Sequence, residues 1–167
     1  MKLKHTLVLL AALSLPQFSF AEDGDKPVKF EELPVAVAKA MKDATGDAKL
    51  ENIHFGDEDG TPAYEAEWVA GGHKNEIAVA KNGTVILTEE IITLAEAPEA
   101  VQATITKEAG SNEIAEVEKV LEKGKTTYEA TVKRSNGTLV VKVSEAGKVI
   151  EREYPDAENS RKPAGKK

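Results

Sequence analysis

Glu65 and Glu67 stand two residues apart, a spacing that puts two carboxylates on one face of a strand. Such a pair could give and take a proton in acid–base chemistry. Here the acids alternate with Tyr64, Ala66 and Trp68, and the pattern reads as the solvated face of a half-buried strand. Asp57-x-Asp59-Gly60 resembles the opening of a calcium loop, but the loop's seventh position is Ala63 and its twelfth is Trp68 rather than a bidentate glutamate. A hairpin turn explains those residues better. His54 follows Ile53 in a predicted strand and His73 follows a Gly71-Gly72 turn; neither has another ligand at metal spacing. The chain has no cysteine, which removes thiolate nucleophiles, thiolate metal sites and disulfides together. No serine sits in a Gly-x-Ser-x-Gly elbow and no glycine-rich phosphate loop is present. The sequence therefore predicts no catalytic residue, no metal site and no cofactor, and a protein that is not an enzyme.

The elements that carry these residues come as a repeat with an offset of 64. Pro34 matches Pro98, Val37 matches Val101 and Gly46 matches Gly110. Gly60-x-x-x-Tyr64-Glu65-Ala66 matches Gly124-x-x-x-Tyr128-Glu129-Ala130, and Gly83-x-Val85-Ile86 matches Gly147-x-Val149-Ile150. Each unit opens with a helix: proline in the first turn, Glu31 and Glu32 or Glu96 at the positive end of the dipole, an apolar stripe, and a glycine at the stop. After each helix the apolar period falls to two. Asp57–Gly60, Gly71-Gly72, Asn82-Gly83, Glu122–Gly124, Asn136-Gly137 and Glu145–Gly147 break the chain into short strands. The predicted fold is α+β: two tandem repeats of one helix plus about four antiparallel strands, the helices covering one face of the sheet. About 60 residues make a marginal lone domain. The two units are therefore expected to pair edge to edge or to pack side by side. His54 and His73 align with Glu118 and Gly137, so the repeat does not require histidine.

Lys2, Lys4 and His5, then Leu7–Leu13, then Ser19-Phe20-Ala21 form the basic, apolar and small-residue zones of a secretory signal peptide spanning residues 1–21. Its apolar run is too short to cross a bilayer. Residues 22–32 form a leader, 33–94 the first repeat, 95–154 the second, and 155–167 a disordered basic tail without a large apolar side chain. The whole chain carries −7, and removing the signal and tail leaves residues 22–154 near −11. Such a surface opposes nucleic acid and anionic lipid and favours a cationic partner.

The proline-opened helix, the Gly-x-x-x-Tyr-Glu-Ala strand and the Gly-x-Val-Ile hairpin resemble the PepSY-like domains of exported bacterial proteins. The tandem arrangement over residues 31–154 is similar to PepSY-like proteins with the beta-lactamase inhibitor protein fold. The resemblance implies one long curved sheet with the helices on its convex side, and binding, including inhibition of a secreted or periplasmic peptidase. The chain departs from the inhibitor proper in having no cysteine and only 5% aromatic residues, so beta-lactamase itself is not the expected target.

Tyr64 and Tyr128 are expected beneath the helices, with Trp68 at the apolar position that Val132 fills in the second unit. The opposite, open face of the sheet is then the candidate partner surface, comprising Glu65, Glu67, Glu76, Glu129, Thr131 and Lys133. The expected function is a non-enzymatic periplasmic or secreted binding module for an exported protein, basic or a peptidase. The alternative is a small-ligand or cation sensor that uses the acidic turn Asp57–Gly60 and the sheet glutamates.

Overall fold

The computed structural model describes residues 26–58 and 60–155. The predicted signal peptide, the start of the leader, Asp59 and nearly all of the tail lie outside them. The described chain is a nine-stranded antiparallel sheet in which every strand pairs with its neighbour in sequence. In chain order the elements are β1 (Lys26–Pro27), α1 (Val35–Thr45), β2 (Glu51–Glu58), β3 (Thr61–Ala70), β4 (His73–Ala80) and β5 (Val85–Ile92). Then come α2 (Glu99–Ala109), β6 (Glu113–Glu122), β7 (Lys125–Arg134), β8 (Gly137–Ser144) and β9 (Val149–Glu153). The class is α+β, as predicted. The sheet is continuous through its middle, where β5 and β6 pair from Leu87↔Glu122 to Ile92↔Val117. The expected leader also contributes, because Lys26 and Pro27 pair with Phe55 and His54.

The helices stop where the sequence predicts, with Gly46 and Gly110 both at φ 61. Their starts differ in one detail. Pro34 and Pro98 occupy the N-cap, at φ −54 and extended ψ, rather than the first turn. An N-cap proline costs nothing, since its missing N–H has no intrahelical acceptor. Consequently Glu31, Glu32 and Glu96 are not in the α-helices. They sit in short 3-10 turns, Phe30–Glu32 and Leu94–Glu96, where Glu32 and Glu96 accept hydrogen bonds from the backbone N–H of Lys29 and Thr93 at 3.1 and 2.7 Å. These turns fix the angle at which the chain enters each helix.

Both helices pack on the same sheet face. Val37 and Met41 of α1, each fully buried, meet Ala66, Trp68, Ile77 and Val79. Val101 and Ile105 of α2 meet Val117, Tyr128, Ala130, Val141 and Val143. The strand register joins the two sets in continuous rows, such as Trp68–Asn75–Glu90–Lys119–Tyr128–Val143. Each buried aliphatic side chain of this kind stabilises the fold by about 2 kcal/mol. Two glycines let the helices approach the sheet turns. A Cβ on Gly83 would lie 2.8 Å from the Ala36 carbonyl oxygen, and one on Gly147 would lie 2.5 Å from that of Ala100. Register shifts between Ala78 and Val79, and between Lys142 and Val143, mark bulges that bend the sheet.

Candidate functional site

The face without helices is built by the other half of the strand alternation. Its rows can be followed across the sheet. One runs Glu51–Glu67–Glu76–Glu89–Val120–Thr127–Ser144. A second runs His54–Glu65–Ala78–Leu87–Glu122–Lys125. A third runs Ile91–Glu118–Glu129–Lys142–Glu151, and beyond it lies Glu116–Thr131–Val140–Glu153. All six predicted site residues lie on this face. Glu65, Glu67 and Glu76 sit on β3 and β4; Glu129, Thr131 and Lys133 sit on β7.

The environment of these residues differs from the sequence expectation. A solvated strand face predicts exposed acids, yet Glu65 is 2% exposed and Glu129 is 3% exposed. Thr131 is buried as well, and so are Glu58, Glu89 and Glu118. They share the face with a buried apolar cluster of Ala63, Ala78, Leu87 and Val120, and register shifts in the strands bend the sheet around it. Period-two alternation reports which face a residue occupies, not whether that face is wet.

Several buried acids carry their own cation. His54 Nε2 lies 2.7 Å from Glu65 Oε2, and its Nδ1 lies 3.0 Å from the Asn52 carbonyl oxygen. Lys142 Nζ lies 2.7 Å from Glu129 Oε1. Burial pushes the Glu129 carboxyl up against the pull of Lys142. Burial also opposes charge on Lys142, but Glu129 prevails and raises its pKa. Glu67 is bridged by Lys74 Nζ at 2.8 Å and accepts from Asn52 Nδ2 at 2.7 Å. Lys133 is exposed and pairs with Glu113 at 2.8 Å. The central acids are served less well. Burial, then the charges of Glu65 and Glu67, push Glu76 up to about 7. Burial, then Glu118 and Glu76, push Glu89 well above the usual carboxylate range, and its Oε1 has no hydrogen-bond partner. Glu89, 6% exposed, carried no signal in the sequence beyond its place in a strand.

The histidines serve local structure. His73 bridges elements, with Nδ1 2.8 Å from the Ile91 carbonyl oxygen and Nε2 3.2 Å from Glu96 Oε1. Asp57 accepts a hydrogen bond from the Gly60 backbone N–H at 2.6 Å, the geometry of a turn closing on itself. Among the described residues no three or more His, Cys, Asp or Glu side chains are grouped to hold a metal ion. A groove of about 340 Å³ lies beside the end of α1, lined by Ala44, Trp68, Asn75, Glu89, Glu90 and Lys119 among others. Among the described residues no helix is long and apolar enough to cross a membrane.

No protein-family model matches the sequence, and comparison with curated proteins finds no match. Solved structures do match. A protein of Bacteroides eggerthii assigned to the periplasm superposes with a TM-score of 0.64 at 17% identity, covering 73% of this chain and 88% of that one. A DUF2874 family protein from Bacteroides uniformis gives 0.63 at 16% identity, covering 72% and 88%. A BLIP-like protein from Bacteroides fragilis gives 0.59 at 19% identity, covering 71% and 84%. At these identities the likeness is one of fold, and the fold is BLIP-like.

Proposed function

We propose that the chain is an exported, non-enzymatic binding module that holds a basic protein partner against the open face of its sheet. One observation carries this reading: the open face concentrates glutamates from β2 to β9, and His54, Lys74, Lys142 and Lys133 on it are already committed to Glu65, Glu67, Glu129 and Glu113. A face of one sign focuses its field outward and draws an oppositely charged partner. The N-terminal signal pattern and the periplasmic assignment of the B. eggerthii protein support export to the same compartment. The recurrence of helix bounds, turn glycines and bulges at an offset of 64 supports two PepSY-like units fused into one sheet, with the partner face shared between them. A peptidase, the target class implied by the resemblance, is the first partner to assay.

The test is affinity capture from periplasmic extract at low and at high salt, with retained proteins identified by mass spectrometry. The expected result is retention of a basic protein that is released as salt rises. Absence of any salt-dependent partner overturns the proposal.

A further inference from the structure

The open face has a centre, and its chemistry is more specific than a negative field. Glu76 and Glu89 are direct cross-strand partners on β4 and β5, and Glu118 of β6 lies diagonally beyond Glu89 on the same face. The three thus straddle the seam where β5 meets β6. Around them the floor is apolar: Ala78, Leu87 and Val120. Three basic side chains of the open face sit on other acids. His54 of β2 sits on Glu65, Lys74 of β4 on Glu67, and Lys142 of β8 on Glu129. Glu58, Glu65, Glu67, Glu116 and Glu129 add further acids to the same face. Glu89 is therefore a carboxyl with an orphaned, buried Oε1, set among acids and lacking a counter-ion of its own.

We propose that the Glu76–Glu89–Glu118 cluster is the anchor subsite for an arginine side chain of an extended basic segment, and that the arginine enters in exchange for a proton. This rests on the binding role assigned above to the open face and supplies its ligand chemistry. Glu76 and Glu89, direct cross-strand partners beside an apolar floor, resist ionising together, so the cluster retains a proton at neutral pH. The raised pKa values of Glu76 and Glu89 agree with that. A guanidinium fits better than the alternatives. It is planar and weakly hydrated, and it offers several N–H donors to carboxylates arranged around it. Calcium needs six or more oxygens converging on one point, and the described residues gather no metal-binding group. The exchange is balanced: a protonated carboxyl in the empty cluster becomes a carboxylate paired with the guanidinium, and the proton leaves to buffer.

The test is calorimetry of a hexa-arginine peptide with the purified protein, in two buffers of equal pH and different ionisation enthalpy. Wild type should release roughly one proton per peptide bound at pH 6.5, and affinity should rise up to about tenfold per pH unit between pH 5 and 7. Glu89→Gln should lose most of the proton release and weaken binding at least tenfold, while circular dichroism shows its fold retained. Hexa-lysine should bind more weakly than hexa-arginine. Peptide binding without proton release, or release unchanged in Glu89→Gln, overturns the anchor subsite and leaves the binding face standing. No peptide binding also overturns the subsite, and the capture experiment then decides separately on the face. Proton release driven by calcium and not by peptide replaces the arginine with a metal and overturns the proposal.

Discussion

Glu76→Gln should make the protein more stable at pH 8 and leave it unchanged at pH 4. Glu76 has an ordinary pKa of 4.5 and one of about 7 in the fold. Its folded pKa is thus above its unfolded value. Its favourable contribution is fully present below 4.5 and is lost as pH rises through 7, because the unfolded chain gives up the proton first. The gap, multiplied by 1.36 kcal/mol per pKa unit, amounts to about 3 kcal/mol lost by pH 8. Glutamine keeps the shape of the protonated acid and carries no charge to desolvate. For a folded region of this size the difference corresponds to a Tm gain on the order of 10 °C at pH 8. Thermal unfolding of wild type and variant, followed by circular dichroism from pH 4 to 8, reads the effect directly. The two curves should coincide at pH 4 and separate progressively above pH 5. A constant offset across the whole range, or curves that coincide at pH 8, would show that Glu76 is not a strained buried acid.

Three further outcomes follow from the packing. Lys142→Met removes the cation beside buried Glu129 and should cost about 3 kcal/mol in urea unfolding at pH 7, the penalty of breaking a buried pair. Restoring charge balance with Glu129→Gln in the same chain should recover part of it. Gly147→Ala drives a methyl into the Ala100 carbonyl and should destabilise by more than about 2 kcal/mol, whereas Gly124→Ala meets no atom within 4 Å and should cost only its left-handed backbone, about 1 kcal/mol. Equal losses in those two variants would sink the claim that Gly147 is there to admit α2. His54→Ala removes the side chain that lies 2.7 Å from buried Glu65 Oε2 and should cost about 1–3 kcal/mol in urea unfolding at pH 7, the penalty of leaving a buried acceptor without its partner.

Helix limits, turn glycines and strand faces were legible in the sequence because each rests on local chemistry. Gly46 and Gly110 end helices at positive φ, and Tyr64, Ala66 and Trp68 alternate onto the helix-covered face. The placement of Pro34 and Pro98 one residue earlier than expected is a matter of capping, which apolar spacing does not resolve. The burial of Glu65 and Glu129 was not legible, because it depends on bulges and cross-strand neighbours far apart in the chain. Glu89 was invisible for the same reason. Its partners are Glu76 on one side and Val120 on the other, and only the β5–β6 seam brings them together. Alternation put the right residues on one face, while long-range pairing decided which of them lost their water.

The most direct measurement compares capture from periplasmic extract by wild type, by the open-face variant Glu67→Gln/Glu76→Gln/Glu89→Gln, and by a helix-face control, Glu90→Gln/Glu99→Gln. Wild type and control should retain the same basic protein at low salt and release it at high salt, while the open-face variant should fail to retain it at either. Equal retention by the open-face variant, or loss confined to the helix-face control, would contradict the assignment of the partner surface.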